Sequence, residues 1–386
     1  MQKVFSLALW LVVSLEGAVL VAYSPRSWLC TNTSLDNVVW NPKNGKILVD
    51  YLAGQHAELW DIDGEQPERT YRFQIGNEDK TGVESSRLSS MAYAPDGKTI
   101  LTGISDGRIV LWDAQTGTLL KAWQGHRGWV TSVAYSPDGR TVLTGGKDGT
   151  ALIWDVQSGT SLHVLPLQGR LQDGLQIVIS SAFAPDGATL LTGNSDGTAT
   201  VWDTHSGMRL RILQAGTNVV ASVAFAPDGK SVLTGSDDHA AIVWDARSGM
   251  ILHKLQSGIA LYTFQGGFPK LYAAFAADGK TALTSIEDGT ATVWNVHSGE
   301  PVSSIKRDVM TIAYSPDGKT VLMRDDDYTS VLLWDIQSGA FVRPLCPLLL
   351  GKPWQWAGLA LCLLSLVGFP LMVWRGLRRR GSAITP

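Results

Sequence analysis

His126, Ser132 and Asp148 fall within one short stretch of the chain, and their side chains are the types that acyl transfer uses as base, nucleophile and orienting acid. Repetition decides against that reading. An Asp in the same kind of turn returns at Asp106, Asp196, Asp238 and Asp288, each time ahead of a Trp that ends an apolar run. A catalytic centre would gather its unusual residues in one place, whereas Asp148 is the commonest element of a motif spread along the chain. No residue is assigned a catalytic role, and the chain is not expected to be an enzyme.

The other candidates for chemistry are few. Arg324, Asp325, Asp326 and Asp327 form the one unrepeated charged cluster, which could hold Ca²⁺ weakly, although acidic turns are ordinarily just solvated. The seven His residues are scattered, no Cys pair has ligand spacing, and no glycine-rich loop ends in Lys-Ser or Lys-Thr. No metal or cofactor is therefore expected. His205 and His297 share a turn position in DTHSG and NVHSG and read as solvated turn residues.

The elements that would position these residues are short strands. A Trp followed by Asp or Asn recurs at Trp60, Trp112, Trp154, Trp202, Trp244, Trp294 and Trp334, at intervals of 52, 42, 48, 42, 50 and 40. That spacing approximates one four-stranded blade. In the stretch TSVAYSPDGRTVLTGGKDGTALIWDVQSGTSLHVL, three turn signals separate four apolar runs. SPDGR offers Pro for a fixed φ and Gly139 for a positive one, Asp148-Gly149 is a tight hairpin signal, and DVQSG again ends in Gly. Three hairpins in series make four antiparallel strands. Runs such as TVLTGG and SVLTGS are rich in β-branched residues and interrupted every few positions, which leaves no room for helical turns. In the last repeat Gly318 to Trp334 is 16 positions rather than 15, so its inner hairpin should be looser.

These residues resemble the WD-repeat β-propeller family over residues 38–345. The resemblance implies an all-β, seven-bladed propeller of four-stranded antiparallel blades. It also implies a hydrogen-bonded structural relay, which His126, Thr144, Asp148 and Trp154 match in full. Four repeats keep the rest of the pattern: Thr102, Asp106 and Trp112; Thr192, Asp196 and Trp202; Thr234, Asp238 and Trp244; Thr284, Asp288 and Trp294. Because the family often seals its ring with an N-terminal strand, residues 24–37 read as a linker with a candidate ring-closing strand in RSWLCTNT. Cys30 and Cys346 would then flank the closure, either as a disulfide or as two unrelated thiols.

The ends of the chain have another character. Residues 354–374 are uncharged, long enough as a helix to cross a bilayer, edged by Trp354, Trp356 and Trp374, and followed by Arg375, Arg378, Arg379 and Arg380. They are expected to span a membrane, joined to the propeller by a linker at 346–353 and ending in a basic cytoplasmic tail at 375–386. Residues 1–23 contain Lys3 and an apolar run broken by Glu16, and read as a signal anchor or signal peptide. Either choice puts the propeller on the extracytoplasmic side. Without Glu16, Lys3, Lys352 and the four tail arginines, 26 basic residues face 34 acidic ones, so no nucleic-acid partner is expected.

Recognition should then lie in the links between blades. The extra length falls after blades one, three and five, in 64–90, 166–177 and 256–271. The first link carries Glu78, Asp79, Lys80, Glu84 and Arg87, and the last carries Tyr262, Phe264 and Phe268. The expected function is a membrane-tethered scaffold for protein or peptide partners, with lipid contacted through the terminal spans. The alternative is a propeller that takes a small molecule or glycan in its central channel.

Overall fold

The computed structural model describes residues 35–345, apart from 52–55, 62–67, 73–85, 168–169, 172–173, 237–239, 257–271, 286–289, 307–308, 316, 326–330, 337 and 339. All regular structure among them is β-strand.

The strands form four-stranded sheets in chain order, each an antiparallel meander. Blade one is β1 (Leu35–Trp40), β2 (Ile47–Tyr51), β3 (His56–Trp60) and β4 (Arg69–Arg72). Blade two is β5 (Leu88–Tyr93), β6 (Thr99–Ile104), β7 (Arg108–Asp113) and β8 (Leu119–Gln124). Blade three is β9 (Val130–Tyr135), β10 (Thr141–Gly146), β11 (Thr150–Asp155) and β12 (Ser161–Pro166). A small hairpin follows, β13 (Arg170–Leu171) with β14 (Gly174–Leu175).

Blade four is β15 (Val178–Phe183), β16 (Thr189–Asn194), β17 (Thr198–Asp203) and β18 (Arg209–Gln214). Blade five is β19 (Val220–Phe225), β20 (Ser231–Ser236), β21 (Ala240–Asp245) and β22 (Ile251–Gln256). Blade six is β23 (Tyr272–Phe275), β24 (Thr281–Ser285), β25 (Thr290–Asn295) and β26 (Pro301–Lys306). The last sheet is β27 (Val309–Tyr314), β28 (Thr320–Asp325), β29 (Val331–Asp335) and β30 (Ala340–Leu345). The first strands β1, β5, β9, β15, β19, β23 and β27 lie side by side in that order, and β27 returns to β1.

Local chemistry sets each hairpin. In the first turn of blade three, the Ser136 hydroxyl and the Arg140 amide both donate to Asp138 Oδ1, at 2.6 and 3.0 Å. Gly139 there has φ 71°, a left-handed value that a side chain would strain. In the third turn the Ser158 amide donates to Asp155 Oδ1 at 2.7 Å. These Asx contacts fix the turns before any tertiary packing is considered.

The core is a series of layers between blades rather than one central mass. Trp154 of blade three packs with Leu101 and Ile109 of blade two, and Trp202 of blade four with Leu143 and Ile153 of blade three. The middle strands β10 and β11 are covered on both faces, which is why their apolar runs are nearly continuous. Close approach at these seams depends on a small residue. A methyl group at Gly145 would collide with Val178 of the next blade, and one at Gly103 with Val130.

Several expectations need adjustment. The first strand begins at Leu35, inside the segment read as linker, and the propeller unit runs Asn32–Cys346. The link after blade one is shorter than 64–90, because β4 and the start of β5 lie inside that range. Its strand RTYR is anchored by Tyr71, whose buried hydroxyl donates to Ala114 O at 2.8 Å. The link after blade three holds the β13–β14 hairpin. The last sheet draws all its strands from 309–345, so its strand count does not call on RSWLCTNT. Its second strand ends at Asp325 and its third begins at Val331, against Gly146 and Thr150 in blade three.

No helix among the described residues is long and apolar enough to cross a membrane. The runs 4–22 and 354–374, with Cys30 and Cys346, lie outside the described residues.

Candidate functional site

The densest polar cluster is the one around His126, whose ring is 2% exposed. Its Nε2 lies 2.8 Å from Thr144 Oγ1, and its Nδ1 lies 3.1 and 3.2 Å from the two oxygens of Asp148. The Trp154 indole N–H donates to the same Thr144 oxygen at 3.0 Å. With a neutral imidazole the donors run in one order, from Trp154 to Thr144 to His126 to Asp148, and every buried group in the line has a partner. Asp148 also accepts from the Arg127 amide at 2.9 Å and the Thr150 hydroxyl at 2.7 Å. Burial alone would raise its pKa, but these hydrogen bonds and the His126 contact hold it well below the usual carboxylate range.

The one ring nitrogen that could act as a base, Nε2, accepts from the Thr144 hydroxyl, which is itself wholly buried. The nucleophile is not in place either, since Ser132 Oγ lies 2.5 Å from Ser181 Oγ on the neighbouring inner strand β15. Ser222 does similar work farther round, donating to Ala273 O at 2.8 Å and accepting from its amide at 3.1 Å. The hydroxyls of the inner strands join blade to blade.

Elsewhere the relay comes apart. The indole still donates to threonine from Trp112 to Thr102 (2.8 Å), Trp202 to Thr192 (3.1 Å), Trp244 to Thr234 (2.9 Å) and Trp294 to Thr284 (2.8 Å). Thr102, however, donates to Val110 O at 3.3 Å rather than toward Asp106. Asp106 is bound by Ser86 at 2.8 Å and by Arg108, and Asp196 by Gln176. Without the imidazole, Thr and Asp in blades two and four belong to two separate pairs of hydrogen-bonded groups. Asp238 and Asp288 lie outside the described residues. Sequence reasoning missed Ser86 and Gln176; each stands two residues before an inner strand, the only signal they carry.

Blades one and seven lack even the indole pair. The strand register puts Ile47 opposite Trp60 and Val321 opposite Trp334, so the threonine position is taken by Val49 and Met323. Both indoles are 1% exposed, and neither Nε1 has a hydrogen-bond partner.

A second set of contacts joins the blades at their outer ends. Lys121 Nζ donates to Gln157 O at 2.6 Å and His163 Nε2 to His205 O at 2.8 Å. The guanidiniums of Arg69 and Arg211 donate likewise to Gln115 O and Arg247 O. Each donor stands nine positions after its own repeat Trp, and each acceptor three positions after the next one. His205 thus contributes its carbonyl, while His297 is held by its amide donating to Asn295 Oδ1 at 2.9 Å.

Of the candidate partner residues, Arg87 is exposed, with its amide on Ser105 Oγ at 2.9 Å and its carbonyl accepting from the Ser105 amide. Glu78, Asp79, Lys80, Glu84, Tyr262, Phe264 and Phe268 lie outside the described residues, as do Asp326 and Asp327. Among the described residues no group of three or more His, Cys, Asp or Glu could hold a metal ion.

Comparison with known proteins agrees with this architecture. The WD domain, G-beta repeat, matches at residues 117–155, 164–203 and 207–245. The anaphase-promoting complex subunit 4 WD40 domain matches at 32–129. Over 77 residues the chain is 34% identical to WD repeat-containing protein 81 of Danio rerio, 30% to that of Rattus norvegicus and 29% to that of Homo sapiens. Each match covers 20% of this chain and 4% of the relative. The chain carries WD40 repeats and folds as a β-propeller of four-stranded antiparallel blades.

Proposed function

We propose that the chain is a membrane-tethered scaffold whose seven sheets form one rigid propeller that offers its loops to protein or peptide partners outside the cytoplasm. The observation that carries this reading is the use of the chemistry-bearing side chains in construction: His126, Asp148 and Ser132 all spend their polar atoms inside or between blades. WD40 propellers typically serve as protein-interaction scaffolds. The tether is supported by the uncharged run 354–374 and the arginines after it, and the side of the membrane by that same charge asymmetry. The aromatic link containing Tyr262, Phe264 and Phe268 is the preferred contact, with the charged link around Glu78, Asp79, Lys80 and Arg87 as its companion.

The test is proximity labelling from the propeller in intact cells, with protease treatment of sealed membranes. Labelling of extracytoplasmic proteins and digestion of the propeller from outside are expected. A propeller protected from external protease would overturn the topology, and partner capture unchanged by Phe268→Ala would remove that link.

A further inference from the structure

The outer strands have a composition unlike the rest of the disc. β4, β8, β12, β18, β22, β26 and β30 contain no Asp or Glu, although the chain as a whole carries 35 acidic residues. Their exposed positions are often apolar. On β18, Leu210 is 54% and Ile212 49% exposed, and Met208 just before the strand is 66% exposed. Leu162 and Val164 of blade three and Leu252 of blade five are exposed as well. On β18 the exposed apolar side chains are neighbours on one strand, the arrangement that suits a covering partner.

Edge strands are usually guarded against added strands by proline, by shortness or by an exposed lysine. β12, β26 and β30 contain Pro166, Pro301 and Pro344, and β4 is only four residues long. β22 has Lys254 where β18 has Ile212, and β8 has Ala122 there. β8 and β18 lack all of these guards, and of the two only β18, with sequence RLRILQ, exposes two large apolar side chains at alternate positions. Arg211 and Leu213 pack toward Gly249 of blade five, so alternation sends Leu210 and Ile212 to the opposite face, where they are exposed. Arg209 is exposed and has no carboxylate partner among the described residues.

We propose that β18 takes an extended polypeptide segment with alternating apolar and acidic side chains as a fifth strand of blade four. The incoming backbone would satisfy the open edge, its apolar residues would cover Leu210 and Ile212, and its carboxylates would meet Arg209. A second copy of the chain fits poorly, because two such edges would bring Arg209 and Arg211 together with no acid between them. This site rests on the scaffold reading only in treating the propeller as a binding platform, and it lies apart from the links named above.

The full-length protein in detergent micelles would be titrated with a fluorescent peptide of alternating valine and glutamate, about eight residues long, and amide exchange followed across 209–214. Binding with protection of that strand is expected. It should weaken at least about tenfold when alternate peptide amides are N-methylated, and similarly with Arg209→Glu, whose fold is checked by circular dichroism. Equal binding of the N-methylated peptide, or protection confined to another segment, would overturn strand addition. Protection of 209–214 in phosphatidylserine nanodiscs without peptide, absent in phosphatidylcholine, would replace it with a lipid contact. Loss of the edge site with partner capture still sensitive to Phe268→Ala would leave the scaffold reading intact.

Discussion

Blade three and the two blades that meet where the ring closes face the same problem, an indole buried between sheets, with different means. In blade three the Trp154 N–H enters a line of partners that ends at Asp148. In blades one and seven, Trp60 and Trp334 are buried as deeply, with Val49 and Met323 at the threonine position and no acceptor for the N–H. Magnitudes explain how both can exist. Truncating a buried Trp costs about 3–5 kcal/mol, whereas an unsatisfied N–H costs about 1–3 kcal/mol. Burial drives the insertion, and the hydrogen bonds decide how firmly a blade holds its shape afterwards.

The largest expected effect would break the comparison at its strong end. Thr144→Val removes the shared hydroxyl and leaves both the Trp154 N–H and His126 Nε2 without partners, so equilibrium denaturation should show a loss of about 3 kcal/mol. The matching change in blade six, Thr284→Val, deprives only Trp294 and should cost about half as much. Equal losses would mean that the imidazole adds nothing to blade three.

Next comes repair of the weak end. Val49→Thr places a hydroxyl two residues beyond Ile47, at the position that holds the indole's acceptor threonine in other blades, and a gain of about 1 kcal/mol is expected by the same measurement. A loss would show that the closing seam cannot turn the new hydroxyl toward the indole.

Acid should then distinguish blade three from its neighbours. Because the Asp148 pKa is lowered in the fold, its contribution is present above the unfolded value of about 3.9 and is lost as pH falls below that value. Amide exchange in residues 146–150 should accelerate on acidification through pH 4, and Asp148→Asn should remove that dependence. An unchanged acid response in the variant would assign it to the turn aspartates, such as Asp155 and Asp203, whose pKa values are also lowered by serine and backbone donors.

The smallest effect is expected at the outer ends. Lys121→Met deletes one exposed contact to Gln157 O and should change stability by less than about 0.5 kcal/mol, measured beside Thr144→Val. A loss comparable to that of Thr144→Val would move the main inter-blade tie from the seam to the rim.

Much of the fold could be read from residue types because turns impose demands that few residues meet. Gly139 has its positive φ because the SPDGR turn needs it, and the same punctuation returns blade after blade. Strand β4 was harder to see, since RTYR offers neither alternation nor a long apolar run and is held by a distant contact of Tyr71. The full relay of blade three was legible in its four residue types. Its separation into two pairs elsewhere was not, because Ser86 and Gln176 reach Asp106 and Asp196 from links without a fixed length. The missing partners of Trp60 and Trp334 follow from Val49 and Met323, which become visible only once strand register is known. The apolar character of the outer wall was present in RLRILQ, but nothing in the pattern alone says which edge stays open.

The rim contacts have a further consequence. Lys121, His163, Arg69 and Arg211 all donate to a main-chain carbonyl of the next blade. The residues that supply those carbonyls are two glutamines, Gln115 and Gln157, with His205 and Arg247, so no one side-chain type is required. Any amino acid has a carbonyl to offer, so the tie is indifferent to the letter written at that position. The circumference can thus be rewritten by mutation, one turn at a time, without loosening the blades beneath it.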